Sequence, residues 1–251
     1  MGELKVFING REVKGKEGST ILETALGAGI YIPYLCHHPN LPPIGECGLC
    51  VVRVNGMGFV NACDTLVEEV MKIVTEDEEI ASLRRERLTG LLMSHPLECI
   101  GCWKYLKCEL QALKQYVGIN RVEVLKGRPR FIEIEEDNPL FEYDPHKCVL
   151  CKRCVRACKD LRGLGILEVK EKDGVRYIFT RSDLPLAEEG CKFCGLCVEV
   201  CPTGARRDKV EINTMEDNRK RTLLPCKYNC PLEIDIPLFV RLIKRGITIR
   251  P

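Results

Sequence analysis

Along the chain, apolar and polar positions change period several times, and each change marks a unit. Leu4–Ile8 is rich in strand formers, and Asn9-Gly10 is a strong hairpin signal, with Arg11–Lys14 expected to pair back. Thr20 and Glu23 form a capping box that opens a short helix ending near Gly29. A loop broken by Pro39, Pro42, Pro43, Gly45 and Gly48 precedes an alternating strand, Val51–Val54. Asn55-Gly56 turns that strand, and Val70–Val74 closes a small β-rich unit over residues 1–75. The period then becomes helical. Thr75 and Glu78 read as a second capping box, and Ile80, Leu83, Leu88, Leu91 and Leu92 form one apolar face. Residues 118–147 read as a connector with a strand at Phe131–Ile134, broken at Asp137–Pro139 and Asp144-Pro145. Farther on, Gly163 and Gly165 mark a turn and Val175–Thr180 a strand. Asp208–Arg221 reads as a polar linker. A final amphipathic helix spans Leu238–Arg245, with Pro237 at its first position and Gly246 past its end.

Charge and composition narrow the classes. The chain has 251 residues, 45% hydrophobic and 29% charged, so it has material for two or three small domains and no disorder is expected. A net charge of +2 gives no electrostatic footprint for nucleic acid or a membrane surface. No apolar run approaches the roughly 18–20 residues of a membrane span, and Leu4–Ile8 begins a strand where a secretory leader would stand, so a cytoplasmic protein is expected.

Seventeen cysteines change the picture most. In a reducing compartment they read as metal ligands rather than disulfides. Cys148, Cys151, Cys154 and Cys158 follow C-x2-C-x2-C-x3-C; Cys191, Cys194, Cys197 and Cys201 repeat it and end in Cys201-Pro202. Short gaps let three sulfurs wrap three corners of a cubane, while the fourth, carried off on the next helix, serves the other cluster. The expected [4Fe–4S] sets are therefore Cys148, Cys151, Cys154 with Cys201, and Cys191, Cys194, Cys197 with Cys158. Zinc, which usually takes two separated pairs, fits such runs poorly. Cys36, Cys47, Cys50 and Cys63 lie in a loop and on a distant segment. That arrangement suits a [2Fe–2S] cluster, although the first gap is longer than in plant-type ferredoxins; zinc or buried thiols are the alternatives. Gly45 and Gly48 are expected to let backbone amides approach the sulfides. His95, Cys99, Cys102 and Cys108 form H-x3-C-x2-C-x5-C. A lone histidine is usually no ligand, but this one precedes a three-cysteine run that lacks a fourth, and it is taken as a [4Fe–4S] ligand. Cys226 and Cys230 cannot complete a cluster alone. They are either half of a site finished by another chain or buried thiols. Gly163 and Gly165 make no dinucleotide fingerprint, because Glu168 stands at the third glycine position. No catalytic motif is apparent.

With these motifs in this order, residues 1–207 resemble the N-terminal iron–sulfur region of the large iron–sulfur subunit of respiratory NADH dehydrogenase. They resemble still more closely the iron–sulfur subunits of NAD(P)-linked hydrogenases and formate dehydrogenases. Asn138–Asp144 adds to the match. Lys152 stands where that family commonly has Gly, and Lys159 follows Cys158 where a ferredoxin would have Pro. The tail, in its C-x3-C-P and I-P-x-F-V pieces, resembles the start of glutamate-synthase-small-subunit-like flavoproteins.

The fold expected is α+β. It comprises a plant-ferredoxin-like β-grasp [2Fe–2S] domain (1–75), a small helical His/Cys3 [4Fe–4S] domain (76–117), a connector (118–147), a bacterial-type 2×[4Fe–4S] ferredoxin domain (148–207), and a linker with a helical docking tail (208–251). The function implied is an electron-transfer subunit, without a catalytic site of its own, in a soluble NAD(P)-linked oxidoreductase. The terminus would be a hydrogenase, with electron bifurcation open, or alternatively a formate dehydrogenase or transhydrogenase. A redox sensor or zinc-structured scaffold is the reading from another class. The partners implied are a flavin- and NAD(P)H-binding iron–sulfur subunit, a thioredoxin-like [2Fe–2S] subunit and catalytic subunits such as hydrogenase. Flavin and NAD(P) would sit only in those partners.

Overall fold

The structure, a computed structural model, describes residues 2–96, 98–119 and 140–209, with Pro231, Leu232, Ile234 and Ile243 beyond them. The strand expected at Phe131–Ile134, the tail helix and the Cys226/Cys230 pair lie outside the described residues.

β1 (Glu3–Ile8) and β2 (Arg11–Lys16) form the expected hairpin in the register Ile8↔Arg11. Its two-residue loop has φ +51° at Asn9 and +79° at Gly10, the doubly positive geometry that Asn-Gly favours. α1 (Ile21–Gly27) opens on the complete capping box: Glu23 N–H donates to Thr20 Oγ1 (3.1 Å) and Thr20 N–H to Glu23 Oε2 (2.9 Å). β3 (Val51–Val54), β4 (Gly58–Asn61) and β5 (Lys72–Val74) complete a mixed sheet of order β2-β1-β5-β3-β4. β5 enters the centre, parallel to β1 and antiparallel to β3. Ile21, Leu22 and Ala25 of α1 close the core over Val6, Ile8, Val52 and Ile73.

α2 (Glu78–Met93) corrects the expected second capping box. Its N-cap is Asp77, whose carboxylate accepts from Ile80 N–H at 2.8 Å. Thr75 instead exchanges two hydrogen bonds with Asn9, at 2.8 and 2.9 Å, because the end of β5 is tied to the hairpin turn before the helix starts. The buried stripe of α2 is Ile80, Arg84, Leu88 and Leu92, so an arginine takes a place that apolar periodicity gave to Leu83 and Leu91. α3 (Glu109–Val117) ends at Gly118 in the left-handed conformation. Leu88, Leu92, Leu110 and Leu113 pack with Leu35, Leu49 and Val149 as one core.

The last described unit has two short sheets. β6 (Phe141–Tyr143) pairs with β9 (Arg206–Asp208), and β7 (Leu167–Lys172) with β8 (Val175–Thr180). Of these four strands only β8 is evident in the sequence. The β6–β9 ladder puts Phe141–Tyr143, counted in the connector above, in one sheet with the chain just past Cys201. α4 (Arg153–Arg156) runs into a π-helical turn at Ala157–Leu161, and α5 (Leu196–Glu199) is a single turn. Among the described residues no helix is long and apolar enough to cross a membrane.

Candidate iron–sulfur sites

The two four-cysteine runs fold alike. In each, the second residue after the first cysteine has positive φ (Leu150 +54°, Phe193 +48°), as does the residue after the second cysteine (Lys152 +56°, Gly195 +69°). Each loop thereby turns a backbone amide onto its first sulfur: Leu150 N–H to Cys148 Sγ and Phe193 N–H to Cys191 Sγ, both at 3.4 Å. Left-handed backbone is strained for a side chain such as lysine, so Lys152 sits in a glycine conformation. Its ammonium is tied to Glu46, beside Cys47, at 2.6 Å.

The runs also cross. Cys201 lies among Cys148, Cys151 and Cys154, and acts electrostatically on all three. Cys158, on the π-helical turn, neighbours Cys191, which in turn neighbours Cys194 and Cys197. Cys154 and Cys197 face one another where the two sets meet. Burial pushes the Cys151 thiol well up, that of Cys154 to about 11 and that of Cys197 to about 12. Before metal binds, these sulfurs hold their protons; a bound cation would displace them.

In the N-terminal unit, Cys36 has Cys47 and Cys63 as thiol neighbours, and Cys63 has Cys50. Cys36 N–H points at Cys47 Sγ, 3.4 Å away. Gly45 and Gly48 serve this loop differently from expectation. Both have positive φ, and the space a Cβ would take is filled by protein: the Asp64 carboxylate at position 45 and the Arg87 guanidinium at position 48. His95, Cys99, Cys102 and Cys108 line one small enclosed cavity together with Tyr105, Lys147 and Gly204. His95 Nδ1 is 2.8 Å from the Pro96 carbonyl, which can only accept. Nδ1 therefore carries the proton, and Nε2 is left as the basic nitrogen.

The sets are joined as well as built. Cys47, Cys108 and Cys151, one from each of three sets, pack against the same core of Leu35, Leu49, Leu88, Leu110 and Val149. Arg84 donates to the carbonyls of Leu49 (3.2 Å) and Val51 (2.9 Å), and Arg156 to those of Cys36 and Pro42. Arg153 forms a two-pronged pair with Glu109, 2.7 Å on each prong. Trp103 Nε1–H donates to the Gly204 carbonyl at 3.1 Å, and Lys104 to that of Cys201. A Cβ on Gly204 would stand 2.6 Å from Cys102 Sγ, so only glycine allows the turn after Cys201 to lie this close to the His/Cys3 loop. None of these arginines carried a sequence signal, because a charged residue between apolar neighbours reads as a solvated face. Among the described residues, no three His, Cys, Asp or Glu side chains gather as they would around a single metal ion.

A sheet and two small cysteine-bound units, each wrapped around sets of four soft ligands, define an iron–sulfur protein. The comparisons agree. Residues 2–78 match the 2Fe-2S iron-sulfur cluster binding domain, 84–123 the NADH-ubiquinone oxidoreductase-G iron-sulfur binding region, and 147–205 the 4Fe-4S dicluster domain. The alpha subunit of NADPH-Fe(3+) oxidoreductase from Geobacter sulfurreducens is 34% identical over 205 residues, 80% of this chain and 24% of that one. A subunit of the NADP-reducing hydrogenase of Solidesulfovibrio fructosivorans is 32% identical over 212 residues, 82% of this chain and 36% of that one. A chain of the NAD+-reducing [NiFe]-hydrogenase, in its H2-reduced crystal structure, superposes with a TM-score of 0.76 at 28% identity, covering 84% of this chain and 90% of that chain. The chain is an iron–sulfur subunit homologous to subunits of NADH-quinone oxidoreductases, NADP-reducing hydrogenases and formate dehydrogenases, which fits an electron-transfer role. It spans about a quarter of the length of the first curated relatives it matches.

Proposed function

We propose that the chain is the electron-transfer subunit of an NAD(P)-linked hydrogenase, holding one [2Fe–2S] and three [4Fe–4S] clusters. Cys36, Cys47, Cys50 and Cys63 would hold the first, in a plant-ferredoxin-like β-grasp domain of residues 1–75. His95, Cys99, Cys102 and Cys108 would hold the second, in the helical unit 76–117. In the two-cluster ferredoxin domain 148–207, Cys148, Cys151, Cys154 and Cys201 would hold the third, and Cys191, Cys194, Cys197 and Cys158 the fourth. Held there, such clusters take up and pass on single electrons. The donor sets fit them: thiol sulfurs, one imidazole with its tautomer fixed, and backbone amides aimed at sulfur, which favour its negative form. The chain's own residues exclude water and keep the sets adjacent.

The observation that carries the reading is the joining of all four sets. Three meet on one apolar core through Cys47, Cys108 and Cys151, and the fourth meets the third where Cys154 faces Cys197. A sensor or a zinc scaffold has no need of adjacency in series. The partners would be a flavin- and NAD(P)H-binding subunit, a thioredoxin-like [2Fe–2S] subunit and hydrogenase subunits.

Two measurements test this. Anaerobically purified protein should contain about 14 iron and as much acid-labile sulfide per chain (2+4+4+4), with little zinc. Stoichiometric zinc in place of iron would overturn the assignment. Affinity purification from the native cell should bring down flavin and hydrogenase subunits. A molybdopterin protein in their place would move the terminus to formate dehydrogenase.

A further inference from the structure

Arg206 is among the largest fully buried side chains of the described residues, 1% exposed, and no cysteine motif contains it. It sits on β9 opposite Tyr143 of β6, with its guanidinium carbon 4.5 Å from the centre of the Tyr143 ring. The stacked pair lies in the core that also contains Cys148 and Cys201, with Cys154, Cys158, Cys191 and Cys197 packed against it. The guanidinium is hydrogen-bonded to Cys154 and acts on Cys197, the two cysteines at which the sets meet. Its charge also reaches Cys148 on one side and Cys191 on the other. Tyr143 reaches one set only. Its hydroxyl accepts from Ile178 N–H at 3.0 Å and is hydrogen-bonded to Cys148. A buried cation is costly unless negative charge lies close by. A thiolate-ligated cluster supplies such charge and gains more of it on reduction.

We propose that Arg206 is a tuning residue shared by the two clusters of residues 148–201: its single buried positive charge raises both reduction potentials and screens the repulsion between two reduced clusters. Tyr143 holds the guanidinium on that seam and favours the Cys148 cluster alone. The inference rests on the cluster assignment proposed above.

The test is an EPR-monitored redox titration of the anaerobically purified full chain, with iron counted in every sample. In Arg206→Met, both midpoint potentials should fall by about tenfold or more in the reduction equilibrium, which is about 59 mV for one electron. The gap between the two should widen as repulsion goes unscreened. Arg206→Lys keeps the charge and should hold both potentials near wild type. Tyr143→Phe should lower only the cluster of Cys148, Cys151, Cys154 and Cys201. The [2Fe–2S] and His/Cys3 signals should stay in place, which a general loosening of the fold would not allow. Should Arg206→Met fail to load, Arg206→Gln is the neutral variant to titrate. Full iron with unmoved potentials in either neutral variant would overturn the tuning role, as would a lysine variant that falls as far as methionine. Wild-type protein that binds no iron at these eight cysteines would instead remove the cluster assignment itself.

Discussion

Lys152 and Gly195 hold the same left-handed backbone in the two halves of one repeat, yet only one is a glycine. A side chain in that conformation costs about 1–2 kcal/mol. Glycine would remove the strain but adds unfolded-chain entropy, and the half-exposed pair with Glu46 is worth under about 1 kcal/mol. Lys152→Gly should therefore change stability by less than about 1 kcal/mol, whereas Gly195→Ala should cost about 1 kcal/mol or more. Parallel denaturant melts of the loaded proteins check this, and equal losses would refute it. Glu109 and Arg153 make a second unequal pair, since the arginine side chain is 3% exposed and the glutamate 43%. Glu109→Ala leaves a charge buried without its carboxylate; Arg153→Met leaves one that water can reach. The first should cost about 2–3 kcal/mol and the second distinctly less, after discounting the buried-pair range for the exposed partner. The same melts read the order.

Asp77 begins α2 and also pairs with Arg53 at 2.8 Å. Asp77→Ala should cost about 1 kcal/mol and speed hydrogen exchange in the first turn, most at the Ile80 amide, whereas Thr75→Ala should leave those amides protected and loosen the tie to Asn9. Exchange measured by NMR or mass spectrometry separates the two caps. Elements whose signal is local were legible in the sequence: the Asn9-Gly10 hairpin, the Thr20/Glu23 box and β8. The second cap was misplaced because Thr75 and Asp77 both satisfy a local rule, and only the distant Asn9 decides between them. β6, β7 and β9 were missed because each is short or half charged and is held by a partner far along the chain; β6 and β9 lie some sixty residues apart. The cysteines stood out by spacing alone. What surrounds them did not, since Arg84, Arg156 and Arg206 are buried by tertiary contacts that no window of sequence contains.

At the scale of the molecule, the N-terminal sheet has its own core of fifteen buried residues, while the 148–209 region hangs on helices of four residues. Helices so short do not stand alone in water. Removing iron under a chelator should therefore release the amides of α4 and α5 first, with β1, β3 and β5 still protected, and mass-resolved hydrogen exchange would show any reversal. The chain has a single tryptophan, Trp103, and it bonds across the joint between the His/Cys3 loop and the turn after Cys201. That placement gives the molecule an intrinsic optical probe. With the joint closed, indole emission is quenched by the visible-absorbing centres around it; if the two units part, the emission brightens and shifts to the red. Stopped-flow fluorescence could thus follow the opening and closing of this one seam without a label.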